Sequence, residues 1–548
     1  MKKHLLYVIF STLFLAISLG HAQISRPYEP IIITGDSLSQ FLNKEIDNLF
    51  LYRYDANENS WRLIPFQVDE VNPAVKDSVK YFIPEDSLHG LLDTDDELVF
   101  MAADLGDLAS DTSWISETDT TRIELSFFDP LDNSIGYVYL YYSTVLNEPV
   151  PNTFGLGYDI QNDRVFSNNY EVGFNYTGQL SDVLIDPSIG GSGNDIFDRI
   201  KIRAIGSWLF VPIFLYEEYI SSSYAYVKTG PVRIIRNMAG SFNFDPLNVD
   251  EKFTQTSFFY PWHGAFSLID LPLGQAKDVG VQIDRLRVSW DFSQDAQGMK
   301  FFSENNRAGF TIDGSSDAIN NACFPDELNW TMGSGDAGTI LNCFYIPSLG
   351  ENINLYYHEA TDSSTADDMP GLEFDTGDFM SYADNGYILK NNIQNYITKE
   401  TTFNFLYYNF FLPSNFDPNH ASLICEQLKT PLSFETTVQK HTPAPTYVQN
   451  TNSFKAGSFS LLQNYPNPFN SSTTILFVLA EKSFVNLKIY DSLGRLIKTI
   501  TEENLTKGTH LFKWNGKNDN DVSVPTGMYF YRVVADEFSA MRKLILIK

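Results

Sequence analysis

Four carboxylates crowd into five residues at Asp93, Asp95, Asp96 and Glu97. Hard cations such as Ca2+ take several oxygen ligands at once, so the run is a candidate metal site, although it lacks the glycine and the terminal glutamate spacing of an EF-hand loop. The plainer reading is a solvated acidic turn. Asp519 and Asp521 pose the same choice near the C-terminus. Proton transfer needs a His, Tyr, Lys or carboxylate held in a cleft. Two places offer one: His263 in Tyr260-Pro261-Trp262-His263-Gly264, beside aromatic surface that can stack a sugar ring, and His358-Glu359 after Tyr356-Tyr357. His89, His420 and His441 complete the histidines of the central region, and Glu217-Glu218 and Asp326-Glu327 each offer one half of a carboxylate pair. Spacing assigns none of them a partner, and each also reads as an ordinary surface or core residue.

Other chemistries lack their signatures. There is no G-x-S-x-G, H-E-x-x-H or Walker loop. Gly190-Gly191-Ser192-Gly193 is followed by no helix to cradle a phosphate and reads as a flexible loop. Three cysteines are too few for a disulfide scaffold. Cys323 and Cys343 are the closer pair in sequence and the favoured bridge, with Cys425 left over.

The elements that must position these residues are strands. Aromatics reach 15%, with 30 Tyr and 43 Phe, a composition that favours sheet. Residues 23–150 open with Ile31-Ile32-Ile33 and a short helix over Asp36 to Ile46. Leu49 to Tyr54 and Trp61 to Val68 then flank a polar turn, and Ile123 to Phe128 and Ile135 to Ser143 form a second hairpin pattern. Residues 151–438 continue with strand runs at Ile200 to Ile205, Trp208 to Tyr216, Tyr224 to Met238, Val281 to Phe292, Ile340 to Ile346 and Phe403 to Leu412. The chain is read as all-β: a large sandwich body followed by a small C-terminal sandwich.

Charge divides the chain. Its net charge is −30, which argues against a nucleic-acid partner. Residues 457–548 hold 11 Lys and Arg against 8 Asp and Glu, and residues 1–22 hold two Lys, which leaves 25 against 60 for residues 23–456. The sign change marks a separate module, and the Thr-, Pro- and Asn-rich stretch 439–460 reads as its linker. At the other end, Lys2-Lys3, the apolar run Leu5 to Leu19 and Gly20-His21-Ala22 form a secretory signal with cleavage between Ala22 and Gln23. No later segment is apolar enough to span a bilayer as a helix.

The module at 461–548 carries the sharpest motif. Asn464-Tyr465-Pro466-Asn467-Pro468-Phe469-Asn470 is followed by alternating strands, by the turn Asp491-Ser492-Leu493-Gly494-Arg495, by Trp514, by Gly527 opening a strand, and by Lys543-Leu544-Ile545-Leu546-Ile547-Lys548. In this order the residues resemble the C-terminal sorting domain of type IX (Por) secretion substrates, with Ser471 standing where many members carry proline. The resemblance implies an immunoglobulin-like sandwich read by an outer-membrane translocon. It further implies Sec export to the periplasm, passage across the outer membrane, and a body released or held at the cell surface. The sorting residues it carries over are Asn464, Tyr465, Pro466, Asn467, Pro468, Phe469, Gly494, Trp514 and Gly527.

For the body, residues 64–70 with 93–107 resemble segments of uncharacterised secreted bacterial β-proteins, and residues 151–440 faintly resemble the galactose-mutarotase-like supersandwich of polysaccharide lyases and glycosidases. Three functions compete: a surface β-protein that binds glycans, a polysaccharide lyase or glycoside hydrolase, and a structural surface component. The acidic body disfavours a polyuronate substrate unless Ca2+ bridges the two.

Overall fold

The computed structural model describes residues 24–72, 78–81, 90–116, 118, 120–244, 249–271, 280–315, 317–323, 327–345, 353–360, 381–390, 403–441, 460–461, 464, 469, 472–479, 481–491, 495–536 and 538–546. The signal segment, most of the expected linker, His89 and Asp326, and the motif residues 465–468 and Gly494 lie outside them. The chain divides into two compact units, Met1–His441 and Thr442–Lys548. Both are built of strands.

In the first unit, apolar alternation puts one face of each strand inside. Pro30–Thr34, Glu97–Met101 and Gln67–Asp69 form one sheet. A second runs in the order Ser433–Lys440, Thr121–Phe128, Ile135–Tyr142, Leu49–Asp55, Ser60–Leu63. Ile31, Leu98 and Phe100 pack with Leu51, Leu125 and Leu140 to make their common core. The expected hairpins are present, but the run expected as one strand from Trp61 to Val68 is split, Ser60–Leu63 pairing in the hairpin and Gln67–Asp69 joining the other sheet, and the helix expected at Asp36 to Ile46 is two short 3-10 turns, Gly35–Phe41 and Ile46–Asn48. Gln439 and Lys440, expected in the linker, are paired with Arg122 and Thr121.

The larger core lies between a nine-stranded sheet and a five-stranded one. The five-stranded sheet runs Val211–Leu215, Phe197–Trp208, Val281–Phe292, Ser381–Lys390, Ile353–Ala360, all antiparallel. It contributes Ile200, Ile202, Leu286, Val288, Trp290 and Tyr387. The nine-stranded sheet supplies Ile234, Phe266, Ile340, Phe344, Tyr407 and Phe411. Trp290 is the hinge of the ring packing, 5.3 Å from Phe344 and 5.4 Å from Tyr407 between centroids. Two inward faces interdigitating in this way make a sandwich. The run expected as one strand from Trp208 to Tyr216 is instead broken by a hairpin tip. Leu209 and Phe210 both take positive φ there, 47° and 72°, and the Phe210 side chain is 99% exposed. The stretch Gly190 to Gly193 is not a loose loop, because Gly190, Gly191, Ser192 and Gly193 each donate a backbone hydrogen bond.

One helix, Pro418–Lys429, covers the outer side of the nine-stranded sheet. Asp417 caps it by accepting from Asn419 N, and proline stands in its first turn, where no donor is lost. Ala421, Ile424 and Cys425 face Trp330, Met332, Leu341 and Cys343. The favoured Cys323–Cys343 bridge is corrected here: Cys343 is bonded to Cys425, and Cys323 is a free thiol. Cys343 points to the helix side of its strand, whereas Cys323 packs against the main core on the other side of that sheet.

The second unit is an Ig-like sandwich of two sheets. One holds Ser460–Leu461, Thr473–Leu479 and Gly508–Trp514, and the other runs Leu496–Leu505, Ser483–Asp491, Gly527–Ala535, Phe538–Leu546. Its core includes Ile475, Phe477, Leu487, Ile489, Trp514, Tyr531, Val533 and Leu544.

Candidate functional site

Register turns one face of the five-stranded sheet into a site. Residues directly paired across antiparallel strands share a face, and alternate residues change face. With Ile200, Ile202, Leu286, Val288 and Trp290 committed to the core, the opposite face receives Lys201, Arg203, Arg287, Ser289 and Asp291. Asp384 joins them from Ser381–Lys390, and Tyr356 and His358 from Ile353–Ala360, with His358 directly across from Asp384.

This face is charged and yet buried. Lys201, Arg203, Arg287, Ser289, Asp291 and Asp384 are each at most 2% exposed. Lys201 Nζ lies 2.6 Å from Asp291 and 3.8 Å from Asp384, and Arg287 Nη2 lies 3.9 Å from Asp384. Arg287 Nη1 donates to Tyr356 Oη at 2.6 Å, with the guanidinium 4.4 Å from the ring centre. Neither oxygen of Asp384 accepts a hydrogen bond among the described residues, nor does Nε2 of His358 have a partner there. Desolvating so many charges costs more than packing apolar side chains, and departures of this kind concentrate at functional sites. A carboxylate, an imidazole and a phenol on one face form a set able to accept and donate protons.

At the sheet edge the face becomes aromatic. Ile205 pairs with Phe214, so Phe214 shares this face and is 45% exposed. Phe214, Tyr216 and Tyr219 form a ladder of near-parallel rings, with centroids 6.4 Å and 5.9 Å apart. Glu217 is buried against Arg203, 2.9 Å from Nη2, and accepts from Ile202 N at 3.1 Å. Glu218 differs. Both its carboxylate oxygens are buried, and its own backbone N–H and the charges of Arg203 and Arg199 are what favour its ionised form. Burial and the Glu217 charge raise its carboxyl above the ordinary value.

The other expected residues are not brought here. His263 is a core residue, stacked 4.8 Å from Tyr260 and 4.7 Å from Phe410, and burial pushes its imidazole down to about 3. It is held neutral and cannot act as an accessible base. Glu359 points to the opposite face from His358. It accepts from Asp313 N at 2.9 Å and Gly314 N at 2.5 Å, and from the Tyr357 hydroxyl. It is a loop anchor. Glu327 is exposed near Lys429. His420 lies beside Phe416, and His441 stacks on Trp114 at 4.7 Å.

The carboxylates of the acidic run turn to different partners. Asp93 Oδ1 accepts from Asp95 N and Asp96 N, closing the turn. Asp96 is buried and accepts from Val71 N at 3.1 Å and Asp93 N at 2.9 Å, while burial raises it to about 6. Glu97 turns to Arg233, 2.6 Å away, and only Asp95 is left in solvent. Asp519 accepts from Thr499 N and Asp521 from Lys517. Among the described residues no group of three His, Cys, Asp or Glu is arranged to hold a metal.

In the second unit, the described motif residues are internal. Asn464 is buried and donates to Thr473 Oγ1 at 2.9 Å. Phe469 bridges to Leu546, donates from its backbone N to Ile545 O, and lies 5.5 Å from Trp514. Gly527 opens a strand.

Lys201, Arg287, Asp291 and Asp384 were missed by sequence reasoning. The alternation of Lys201 and Arg203 with Ile200, Ile202 and Ala204 was the available signal, but that pattern normally marks a wet face.

Residues 469–538 match the family model of the FlgD Ig-like domain. No curated protein sequence matches the chain. Among solved structures it is similar to an alpha-mannosidase from Enterococcus faecalis V583, at 10% identity over 89% of this chain and 54% of that one, with a TM-score of 0.35. It is also similar to a glycosyl hydrolase family 38 protein from Enterococcus faecalis (10% identity, 90% and 57% covered, TM-score 0.38) and to dimeric latent PorU from Porphyromonas gingivalis (11% identity, 91% and 41% covered, TM-score 0.15). The chain spans just over half the length of the first two. Likenesses at these TM-scores assign it no activity. No helix among the described residues is long and apolar enough to cross a membrane.

Proposed function

We propose that the chain is a type IX secretion substrate: residues 1–22 direct Sec export, the Ig-like unit is the sorting signal, and the acidic body is a surface-delivered or secreted β-protein that binds glycans. The observation that carries the sorting reading is the motif of residues 464–470 leading into a compact Ig-like unit whose charge is opposite to that of the body. The test is deletion of residues 457–548 in a bacterium with a working type IX system. The full chain is expected outside the outer membrane and beginning at Gln23, and the truncated chain in the periplasm with its body folded. A truncated chain that still reaches the surface would overturn the reading.

A second reading, a lyase or glycoside hydrolase, is favoured by one observation: His358 stands opposite Asp384 on the face that also holds Tyr356 and Arg287. Its test is release of reducing ends or unsaturated products from a polysaccharide panel by the mature chain. Activity lost in His358→Ala and in Asp384→Asn supports it, and an inert wild type sinks it.

A further inference from the structure

The hairpin formed by Phe197–Trp208 and Val211–Leu215 turns on two residues that its geometry does not favour. Trp208 pairs with Val211, so Leu209 and Phe210 alone make the turn. Both have positive φ, 47° and 72°. A two-residue turn with both residues left-handed is the natural place for Asn-Gly, because bulky side chains are strained there. Local packing does not offset that strain: Phe210 is 99% exposed, Leu209 66% and Val211 59%. Strained residues that break a local rule concentrate where a chain meets something else.

The tip is also without charge. From Ala204 to Tyr216 there is no Asp, Glu, Lys or Arg. Along the paired strand Val281–Phe292 the first charged residues are Asp284 and Arg285, and Arg285 stands across from Ile205, well behind the tip. Between the two levels, Trp208 and Tyr216 are half-buried, and Phe214 stacks on Tyr216. Aliphatic and phenyl groups at the apex with Trp and Tyr further back is the order of a segment that enters a bilayer, where Trp and Tyr sit at the headgroup level.

A protein partner suits this tip less well. The exposed side chains crown a convex two-residue turn, and on their own they fall short of the roughly 800 Å2 per partner that a stable protein interface buries. A bilayer closes around a convex tip and needs no matching surface. The net charge of −30 is repelled by an anionic surface, so the membrane that suits this chain is electrically neutral.

We propose that Leu209, Phe210 and Val211 insert into lipid bilayers with zwitterionic headgroups, with Trp208 and Tyr216 at headgroup level, so that the body binds membranes peripherally. This goes beyond glycan binding and sorting and rests on neither.

The test is co-flotation of the mature full-length chain with phosphatidylcholine vesicles in a density gradient. The wild type should float with them, and adding phosphatidylglycerol should not strengthen binding. Binding should fall at least ten-fold in Phe210→Asp and in the double change Leu209→Asn with Phe210→Gly. The double change installs the residues that such a turn favours, so it should melt no lower than wild type while losing the vesicles. Phe434→Ala, which removes an exposed ring on a different sheet, should float as wild type. A wild type that stays at the bottom of the gradient, or flotation that survives both tip variants, would overturn the proposal. Flotation only with phosphatidylglycerol present would overturn the neutral surface. A lower melting temperature in the double variant would show that the two side chains serve the fold instead. Self-association without vesicles, seen by analytical ultracentrifugation and lost in Phe210→Asp, would make the occupant a second copy and overturn the membrane.

Discussion

Cys343 and Cys425 are joined across 82 residues of chain, fastening the helix Pro418–Lys429 to the strand Gly338–Tyr345. Closing a loop of this length removes much freedom from the unfolded chain, and loss of such a bridge costs about 2–5 kcal/mol. Thermal melting with and without reductant should show a lower Tm for the reduced protein and for Cys343→Ser with Cys425→Ser. Cys323→Ser should leave the Tm and its reductant sensitivity unchanged. A reductant-insensitive wild type would count against the bridge.

The end of the body is set by pairing. Arg122 is buried among Trp61, Trp114, Tyr139 and Tyr141 and donates from Nε to Gln439 Oε1 at 2.6 Å. Truncation after His441 should therefore leave the melting of the body unchanged. Truncation after Leu432 removes the strand Ser433–Lys440, the Gln439 acceptor and the His441 stack. Its melting temperature should fall by roughly 5 °C or more, as expected for a loss of a few kcal/mol in a large unit. Equal melting of the two would show that the strand contributes nothing.

Asp195 makes stability depend on pH in a direction that can be checked. Its Oδ1 accepts from Val183 N at 2.8 Å and Phe197 N at 3.1 Å, but burial, aided by Asp182 and Asp198, raises the carboxyl to about 7. The folded state thus holds the proton more tightly than the unfolded state, whose Asp titrates near 3.9. Stability from this group is full below about pH 4 and is lost as pH rises through about 7. Asp195→Asn keeps an oxygen for both amides and abolishes the titration. Its gain over wild type should be near zero at pH 4 and on the order of 2–4 kcal/mol at pH 8. Denaturant unfolding at the two pH values measures this, and a constant difference between them would refute it.

Trp514 anchors the second unit, 5.5 Å from both Phe469 and Tyr529 and donating to Lys517 O at 2.8 Å. Trp514→Ala should remove about 3–5 kcal/mol. In calorimetry of the full chain one transition should move down by roughly 15 °C or more while the body transition stays in place. If the unit is read by the secretion machinery as a folded object, the same change should block export even though residues 464–470 are intact. Normal export of Trp514→Ala would mean that a linear peptide is read instead.

Strands were legible because their signal is local. Val281 to Phe292 and Phe403 to Leu412 were bounded from the sequence as they stand in the structure. The helix Pro418–Lys429 was missed although Asp417-Pro418 is a good start signal and Ala421, Ile424, Cys425 and Leu428 keep helical spacing, because one twelve-residue helix stands among strand runs. The site was legible in part. His358 was singled out, but its neighbour Asp384 comes from another strand, and no spacing along the chain encodes that register. The charged face was hidden for a different reason. Lys201 and Arg203 alternate with apolar residues as a half-wet strand does, and only the fold shows them dry. The disulfide failed on the same ground, since nearness in sequence does not say which side of a sheet a side chain leaves from.

The pairing of Thr121–Phe128 with Ser433–Lys440 also sets a clock. Arg122 and Gln439 are 317 residues apart. At synthesis rates of about 5–20 residues per second, the first strand waits roughly 15–60 s before its neighbour exists. Throughout that interval one side of the strand has unpaired donors and acceptors, a template for the wrong strand of another chain. Completion of the body is therefore a late event, and only after it does the Ig-like unit follow from the ribosome. If the chain leaves the cytoplasm unfolded, as proposed, that closure is postponed until it is across the inner membrane, and its first protection against aggregation is then a holding chaperone rather than its own fold.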